Sequence, residues 1–268
     1  MSKTPSRYRV LDLGIITAGA GTSAILADLG ADVIKIESPT YQDPFRKWDG
    51  EYLDGQVPDL PPYFRMTNRG KRNLGLDLKT EAGREVFLRL VKSSDVVVEN
   101  FRRGVLDKLG LGYEALKAVN PDIILASISS QGEDGPDSAY VSFGSTLEAM
   151  AGLAAITGYD GANPVVTGKE FNYPDQVVAI FAAGMIETAR LARSHGGGGV
   201  HLDLSQRELT SFLCGDAFMS GGRRRGNAAN GAAMQDCYLT ADAKWIAATI
   251  SDTDLARLVS VAPGGGRD

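Results

Sequence analysis

Cysteine and histidine are scarce, with two of each in 268 residues. Cys214 and Cys237 are too few for a disulfide framework or a four-cysteine zinc site. His195 and His201 have no neighbours at metal-ligand spacing, so no metal site is expected. The G-x-S-x-G nucleophile elbow is missing, which argues against a serine hydrolase. No apolar run approaches the ~18 residues of a membrane span. Met1–Arg9 lacks the apolar stretch of a signal peptide, so a cytoplasmic protein with no membrane partner is expected. Positive charge is in deficit, 28 Lys+Arg against 33 Asp+Glu for a net charge of −5. That balance disfavours a nucleic-acid partner, because a phosphate backbone calls for clustered cations.

What is present is a globular composition. Hydrophobic residues make up 43% of the chain, near the norm for packed domains, so disorder is not expected. The length suits one large domain or two modest ones. Tyr8–Leu13, Asp32–Glu37, Asp95–Glu99, Asp122–Ser129 and Val200–Leu204 read as strands. Helical stretches at Thr22–Leu29, Thr80–Ser93, Val105–Leu109 and Tyr113–Val119 separate the first four. Strands alternating with helices predict an α/β fold with a doubly wound parallel sheet. Residues 38–73 carry many aromatics and prolines and read as one long loop. Further helices are expected at Thr146–Ala155, Gln176–Arg193 and Gln206–Leu213, and a strand pair over Tyr238–Thr249. The expected organisation is a Rossmann-like large domain over 1–213, a linker over 214–235, the start of a smaller domain over 236–268, and a frayed tail at Pro263–Asp268.

Four constellations could carry chemistry. Gly19–Ala24 fits G-x-G-x-x-A between a strand and a helix, and Glu37 ends the next strand. A dinucleotide site uses such glycines for pyrophosphate approach and such an acid for ribose hydroxyls. The competing reading is close packing of a helix on a sheet. Arg69–Arg72 places three cations beside a glycine, suited to phosphate or to solvent. Glu99–Gly104 follows a strand directly, where ligands of open α/β sheets bind. There Asn100 could bond an adenine edge, Phe101 could stack, and Arg102 could meet phosphate. Asp175 precedes an apolar helix and reads either as its N-cap or as a carboxylate nucleophile.

Taken together, several segments are more specific than any one of them. VLDLG (10–14), LADLGADVIKIESP (26–39), NRGKRNLGLDLKTEAG (68–83) and SDVVVENFRRGVLDKLGLGYEALKAVNPDIILASIS (94–129) precede GEDGP (132–136), TGYDG (157–161) with Pro164, a second TG pair (167–168) and Asp175 after it, and GGGGVHLDLSQRE (196–208). In this order and spacing the chain resembles the class III coenzyme A transferases, the formyl-CoA and carnitine-CoA transferase type, from about residue 8 to about residue 250. The resemblance implies transfer of CoA from an acyl-CoA to a small carboxylic acid through an aspartyl anhydride and an aspartyl-CoA thioester. It places the nucleophile on Asp175 and CoA contacts on Thr17, Ala18, Leu76, Lys79, Asn100, Phe101 and Lys108. It implies CoA as substrate, no tightly bound cofactor, and two interlinked subunits. It also puts the basic turn at 69–72 near the CoA site.

The chain departs from that family pattern in places. Ala20 stands where proline is usual, and Ser38 where arginine is frequent. Gly144 occupies a position where some members carry a carboxylate, with Glu148 one helical turn away. Family members run longer, so either a homodimer or a second chain is expected to complete the fold, and the isolated chain is expected to be poorly soluble or inactive. Three other readings compete. An acyl-CoA racemase would place a histidine near Phe143, and none stands at 140–146. An NAD-dependent oxidoreductase would use Gly19–Ala24 and Glu37. A non-catalytic CoA-binding subunit would need no nucleophile.

Overall fold

The computed structural model describes residues 8–47, 61–158, 163–167, 171–219 and 232–261. These fall into two compact units. One takes the described residues of Met1–Ala151 and Thr167–Leu213, the other those of Gly152–Val166 and Cys214–Asp268.

The larger unit is built on six parallel strands. They are β1 (Arg9–Asp12), β2 (Asp32–Glu37), β3 (Arg72–Gly75), β4 (Val96–Glu99), β5 (Ile124–Ser129) and β6 (Val200–Ser205), in the spatial order β3-β2-β1-β4-β5-β6. This is the expected α/β architecture. Runs such as VVVE in β4 and ILASIS in β5 are buried along almost their whole length, because helices cover both faces of the sheet. Helices α1 (Ala18–Asp28) and α8 (Tyr173–Ser194) pack on one face against Val10, Val33, Val98 and Ala126. On the other face, α3 (Glu81–Val91) and α5 (Tyr113–Val119) bury Phe87 and Leu116 against Leu11, Val97 and Leu125.

Strand order reverses between β1 and β4, so the loops leaving their carboxyl ends flank a crevice. Helix α1 links β1 to β2, and α8 leads into β6. Both run back across the sheet, so their first turns stand at its carboxyl edge. Small residues let them pack closely: a Cβ added at Gly21 would lie 3.3 Å from the Ala179 Cβ.

Several local expectations are corrected. The 38–73 stretch is not one loop. It contains a helical turn at Pro44–Arg46, helix α2 (Pro62–Asn68) and strand β3, while 48–60 lie outside the described residues. Strand β3 has the polar sequence RNLG because, among the described residues, it pairs on one side only. Gly19 and Gly21 lie inside α1 rather than in the turn before it. The expected helix over Thr146–Ala155 is two helices, α6 (Gly144–Met150) and α7 (Leu153–Ile156), with Gly152 between them at φ 89°. Helix α4 is the short Val105–Lys108, and α9 (Gln206–Leu213) has the expected bounds.

In the smaller unit, β7 (Ala232–Leu239) and β8 (Trp245–Ser251) form an antiparallel hairpin followed by α11 (Asp252–Val261). Of the stretch read as a linker, Gly215–Met219 is helix α10 and Ala232 already belongs to β7. The tail Pro263–Asp268 lies outside the described residues.

Candidate functional site

Asp175 is not the N-cap of α8. Asn172 holds that position with φ 44°, and its carbonyl accepts the Asp175 N–H at 3.0 Å. Asp175 therefore stands in the first turn, half-buried at the carboxyl edge of the sheet. Gln206, at the start of α9, donates its amide Nε2–H to Asp175 Oδ1 at 3.4 Å. Gly144, at the start of α6, comes so close that an added Cβ would lie 2.7 Å from Asp175 Oδ2 and 2.8 Å from Asn172 Oδ1. Packing withdraws the Asp175 carboxyl from water and pushes it up to about 7, with the charge of Glu148 adding to the rise.

Glu148 is almost fully buried on α6. Its Oε2 accepts the Thr167 N–H at 2.8 Å, and its Oε1 accepts the Thr167 hydroxyl. The same hydroxyl oxygen accepts the Tyr173 N–H at 3.2 Å. A chain from α6 through Thr167 to Tyr173 thus fixes where α8 begins, two residues before Asp175.

The residues expected to contact CoA lie on the loops at the carboxyl edge. Thr17 is the N-cap of α1 and Ala18 its first residue, both buried. Leu76 follows β3, and its N–H bonds the Glu37 carbonyl at 2.9 Å. Lys79 is exposed ahead of α3, and Lys108 is exposed at the end of α4. Lys108 lines a cleft of about 390 Å³ with Arg102, Arg103 and Glu133. Phe101 packs on the α3 side of the sheet, and its N–H bonds Glu99 Oε2 at 2.7 Å. Burial raises the Glu99 carboxyl to about 7.

Asn100 is already engaged within the chain. Its Oδ1 accepts the Ile15 N–H at 2.8 Å, and its Nδ2 donates to the Ile15 carbonyl at 3.1 Å. It ties the β4 loop to the β1 loop across the crevice, rather than presenting a free amide to a base edge.

The other constellations resolve as internal structure. Glu37 is held by Arg46 through Nε at 2.8 Å and Nη2 at 2.7 Å, and also accepts from Asn73. With its carboxylate occupied and its glycines inside a helix, the G-x-G-x-x-A stretch does not assemble a dinucleotide fingerprint. The cations of the basic turn are paired: Arg69 with Asp28, Lys71 with buried Asp12 at 2.7 Å, and Arg72 with Asp32. His201 Nε2 lies 2.9 Å from Ser127 Oγ, with its ring stacked on Tyr113. His195 caps the far end of α8. Neither histidine is near Asp175, and Phe143 before Gly144 is exposed.

Thr167 and Gln206 stand in segments that carry the resemblance, but the sequence assigns neither a role at the site. Each meets the site from another element, and only the fold brings them to residues 6 and 31 positions away.

A family model described as CoA-transferase family III matches residues 6–265. Succinate--glutarate CoA-transferase of Agrobacterium fabrum is 34% identical over 264 residues, covering 96% of this chain and 66% of that protein. Succinyl-CoA--D-citramalate CoA-transferase of Chloroflexus aurantiacus is 36% identical over 257 residues, covering 93% and 62%. The crystal structure of a CAIB/BAIF family protein from Brucella suis superposes with a TM-score of 0.84 at 34% identity, covering 96% of this chain and 69% of that one. The chain spans about two thirds of the length of these two curated relatives.

Proposed function

The chain belongs to CoA-transferase family III, and from that premise we propose that it moves coenzyme A from an acyl-CoA thioester to a carboxylic acid, with Asp175 as the nucleophile. The observation that carries this reading is the Asp175 carboxyl itself. It stands on a first helical turn at the sheet's carboxyl edge, one oxygen steadied by Gln206 and the other facing Gly144, where an added Cβ would press against it.

The chemistry balances without a further reagent. A carboxylate oxygen of Asp175 attacks the thioester carbonyl, the C–S bond breaks, and an aspartyl–acyl anhydride forms with release of the CoA thiolate. The thiolate attacks the aspartyl carbonyl, giving an aspartyl-CoA thioester and the donor carboxylate. The acceptor carboxylate then attacks that thioester, forming a second anhydride and freeing the thiolate again. Attack of the thiolate on the acceptor's acyl carbon completes transfer and restores Asp175. Nucleophilic catalysis by a carboxylate splits a difficult exchange into such easier steps.

Asp175 must be ionised to attack. A carboxyl raised to about 7 is close to balanced at neutral pH and is a stronger nucleophile once ionised than an ordinary aspartate. Thr17 and Ala18 at the start of α1 would receive the thioester end. Leu76 and Phe101 would flank the nucleotide, and Lys79 and Lys108 would meet its phosphates as charge-assisted donors. Asn100 would act by holding the β1 loop. A racemase has less support, since neither histidine stands by Asp175.

Part of the larger unit's surface is apolar. Ile180, Phe181, Met185 and Leu191 on α8 are 61, 40, 43 and 61% exposed, and Phe212 on α9 is 72% exposed. Exposed apolar surface of this kind suits a partner chain, either a second copy or a separate polypeptide.

Intact-protein mass spectrometry with a panel of acyl-CoAs, followed by hydroxylamine trapping, tests the reading. An acyl or CoA adduct on the Asp175 peptide, lost in Asp175→Ala, is the expected result. CoA binding without an adduct would overturn the nucleophile assignment.

A further inference from the structure

The loop between β1 and α1 is held at successive backbone groups by side chains from other parts of the sheet. The Gly14 N–H bonds Asp12 Oδ1 at 2.8 Å, and its carbonyl accepts Lys35 Nζ at 2.7 Å. Asn100 takes both the N–H and the carbonyl of Ile15. The Ile16 N–H points between the two carboxylate oxygens of Asp43, 3.3 Å from each.

Ile16 has φ 59°, in the left-handed region. For a β-branched residue that conformation is strained and persists only where surroundings impose it. Asp43 is equipped to impose it. It is 1% exposed, and its carboxylate also bonds Lys35 Nζ at 3.2 Å and the Phe45 N–H at 2.9 Å. Its own N–H is anchored on Glu37 Oε1 at 2.7 Å. Asp43 is therefore a fixed charged group, and Ile16 is bent to it.

Immediately after Ile16 the chain enters α1. Thr17 makes no side-chain cap there, and no acidic residue stands in the first turn. Because α1 and α8 run in the same direction with Gly21 against Ala179, the first turn of α1 lies beside the turn that carries Asp175. Where the loop releases the chain decides where those N–H groups point.

We propose that Asp43 is a positioning residue for the reaction at Asp175: by holding Ile16 left-handed, it sets the first turn of α1 against the reacting carboxylate. The proposal rests on the transferase reading above. Asp43 touches no reacting atom and acts through the Ile16 peptide.

A double-substitution test separates this role from mere structural support. Glycine adopts φ near 60° without strain, so Ile16→Gly should make the loop independent of the Asp43 tether. Wild type, Asp43→Asn, Ile16→Gly and the double variant are compared as full chains, with whatever partner activity requires. The expected result is a tenfold or greater fall in kcat for Asp43→Asn, with the KM for acyl-CoA within threefold. Ile16→Gly should stay within threefold of wild type, and the double variant within threefold of Ile16→Gly. If Asp43→Asn alone does not fold, recovery of folded, active protein on adding Ile16→Gly supports the proposal, and failure to recover overturns it. An unchanged kcat in Asp43→Asn, or an equal loss in both backgrounds, also overturns it.

Amide hydrogen exchange over residues 13–20 gives a readout that needs no catalysis. The amide at position 16 should exchange slowly in wild type and at least tenfold faster in Asp43→Asn. A wild-type chain that forms no adduct refutes the transferase reading, while exchange unaltered by Asp43→Asn refutes the tether.

Discussion

Gly144 and Asp175 face each other so closely that a side chain at 144 would have to displace the Asp175 carboxyl. A Cβ there would stand 2.7 Å from Asp175 Oδ2. The glycine keeps one carboxylate oxygen clear, and the neighbouring α6 turn carries the buried charge of Glu148. Gly144→Ala should therefore lower kcat by at least about tenfold, equivalent to about 1.4 kcal/mol, because the carboxyl must turn or retreat. CoA affinity should change little. Steady-state kinetics beside calorimetric CoA titration would show the split, and an unchanged kcat would refute the steric account.

Adduct formation should depend on pH through Asp175. With its carboxyl near 7, the rate should climb about tenfold per pH unit below that value and level off above it. Glu148→Gln removes a neighbouring negative charge and should move the midpoint to lower pH. Stability carries the opposite sign. The folded chain binds this proton more tightly than the unfolded chain, whose aspartate titrates near 3.8. The associated stabilisation is complete below about pH 4 and lost as pH rises through about 7. Asp175→Asn should then be more stable than wild type by about 1 kcal/mol at pH 8, with the gain fading towards pH 4. Denaturant titrations at the two pH values would measure it.

Asn100→Ala would strand the Ile15 N–H and carbonyl that Asn100 now satisfies. A cost of about 2 kcal/mol is expected from groups left unpaired in this half-buried loop. Chemical denaturation would measure it. A loss of CoA affinity with no loss of stability would instead mark Asn100 as a direct ligand contact.

Lys79 and Lys108 are exposed, and neither supports the fold by burial. Replacing either with alanine should raise the KM for acyl-CoA by about tenfold while leaving kcat nearly unchanged, as expected for a charge-assisted contact worth about 1.5 kcal/mol. The melting temperature should not move. A fall in kcat with KM intact would exclude the phosphate role.

Lys71 and Asp12 form a buried ion pair, with side chains 2 and 0% exposed. Lys71→Ala would leave Asp12 without its ion-pair partner in the interior. A loss of about 3–5 kcal/mol is expected from breaking such a pair on one side. The double variant Lys71→Met with Asp12→Leu should recover part of it, although Asp12 also holds the Gly14 N–H.

Much of the architecture was legible because buried parallel strands announce themselves. DVIKIE, DVVVE and DIILASIS could hardly be anything else between helices, and β2, β4 and β5 lie there. Strand β3 was hidden because an edge strand with exposed side chains needs no apolar run, so RNLG looked like part of a loop. Asp175 could be picked out by its place before an apolar helix, but the same place suggested an N-cap. Only the left-handed Asn172 separates the two. The basic turn at 69–72 suggested a phosphate site, yet its partners Asp28, Asp12 and Asp32 lie some 40 to 59 positions upstream. Charge along a sequence does not tell which charges the fold will neutralise. Thr167 and Gln206 lie in segments that carry the resemblance, but nothing local marks either as a neighbour of Asp175.

The clasp of Asn100 on Ile15 spans 85 residues. During synthesis the β1 loop is made long before the residue that secures it. At about 5–20 residues per second, roughly 4 to 17 s separate the two, and Asp175 follows later still. Until Asn100 is in place, the β1 loop of the nascent chain is unsecured. The clasp forms only when β4 has docked beside β1, so the order of translation delays the setting of this loop until four of the six strands exist.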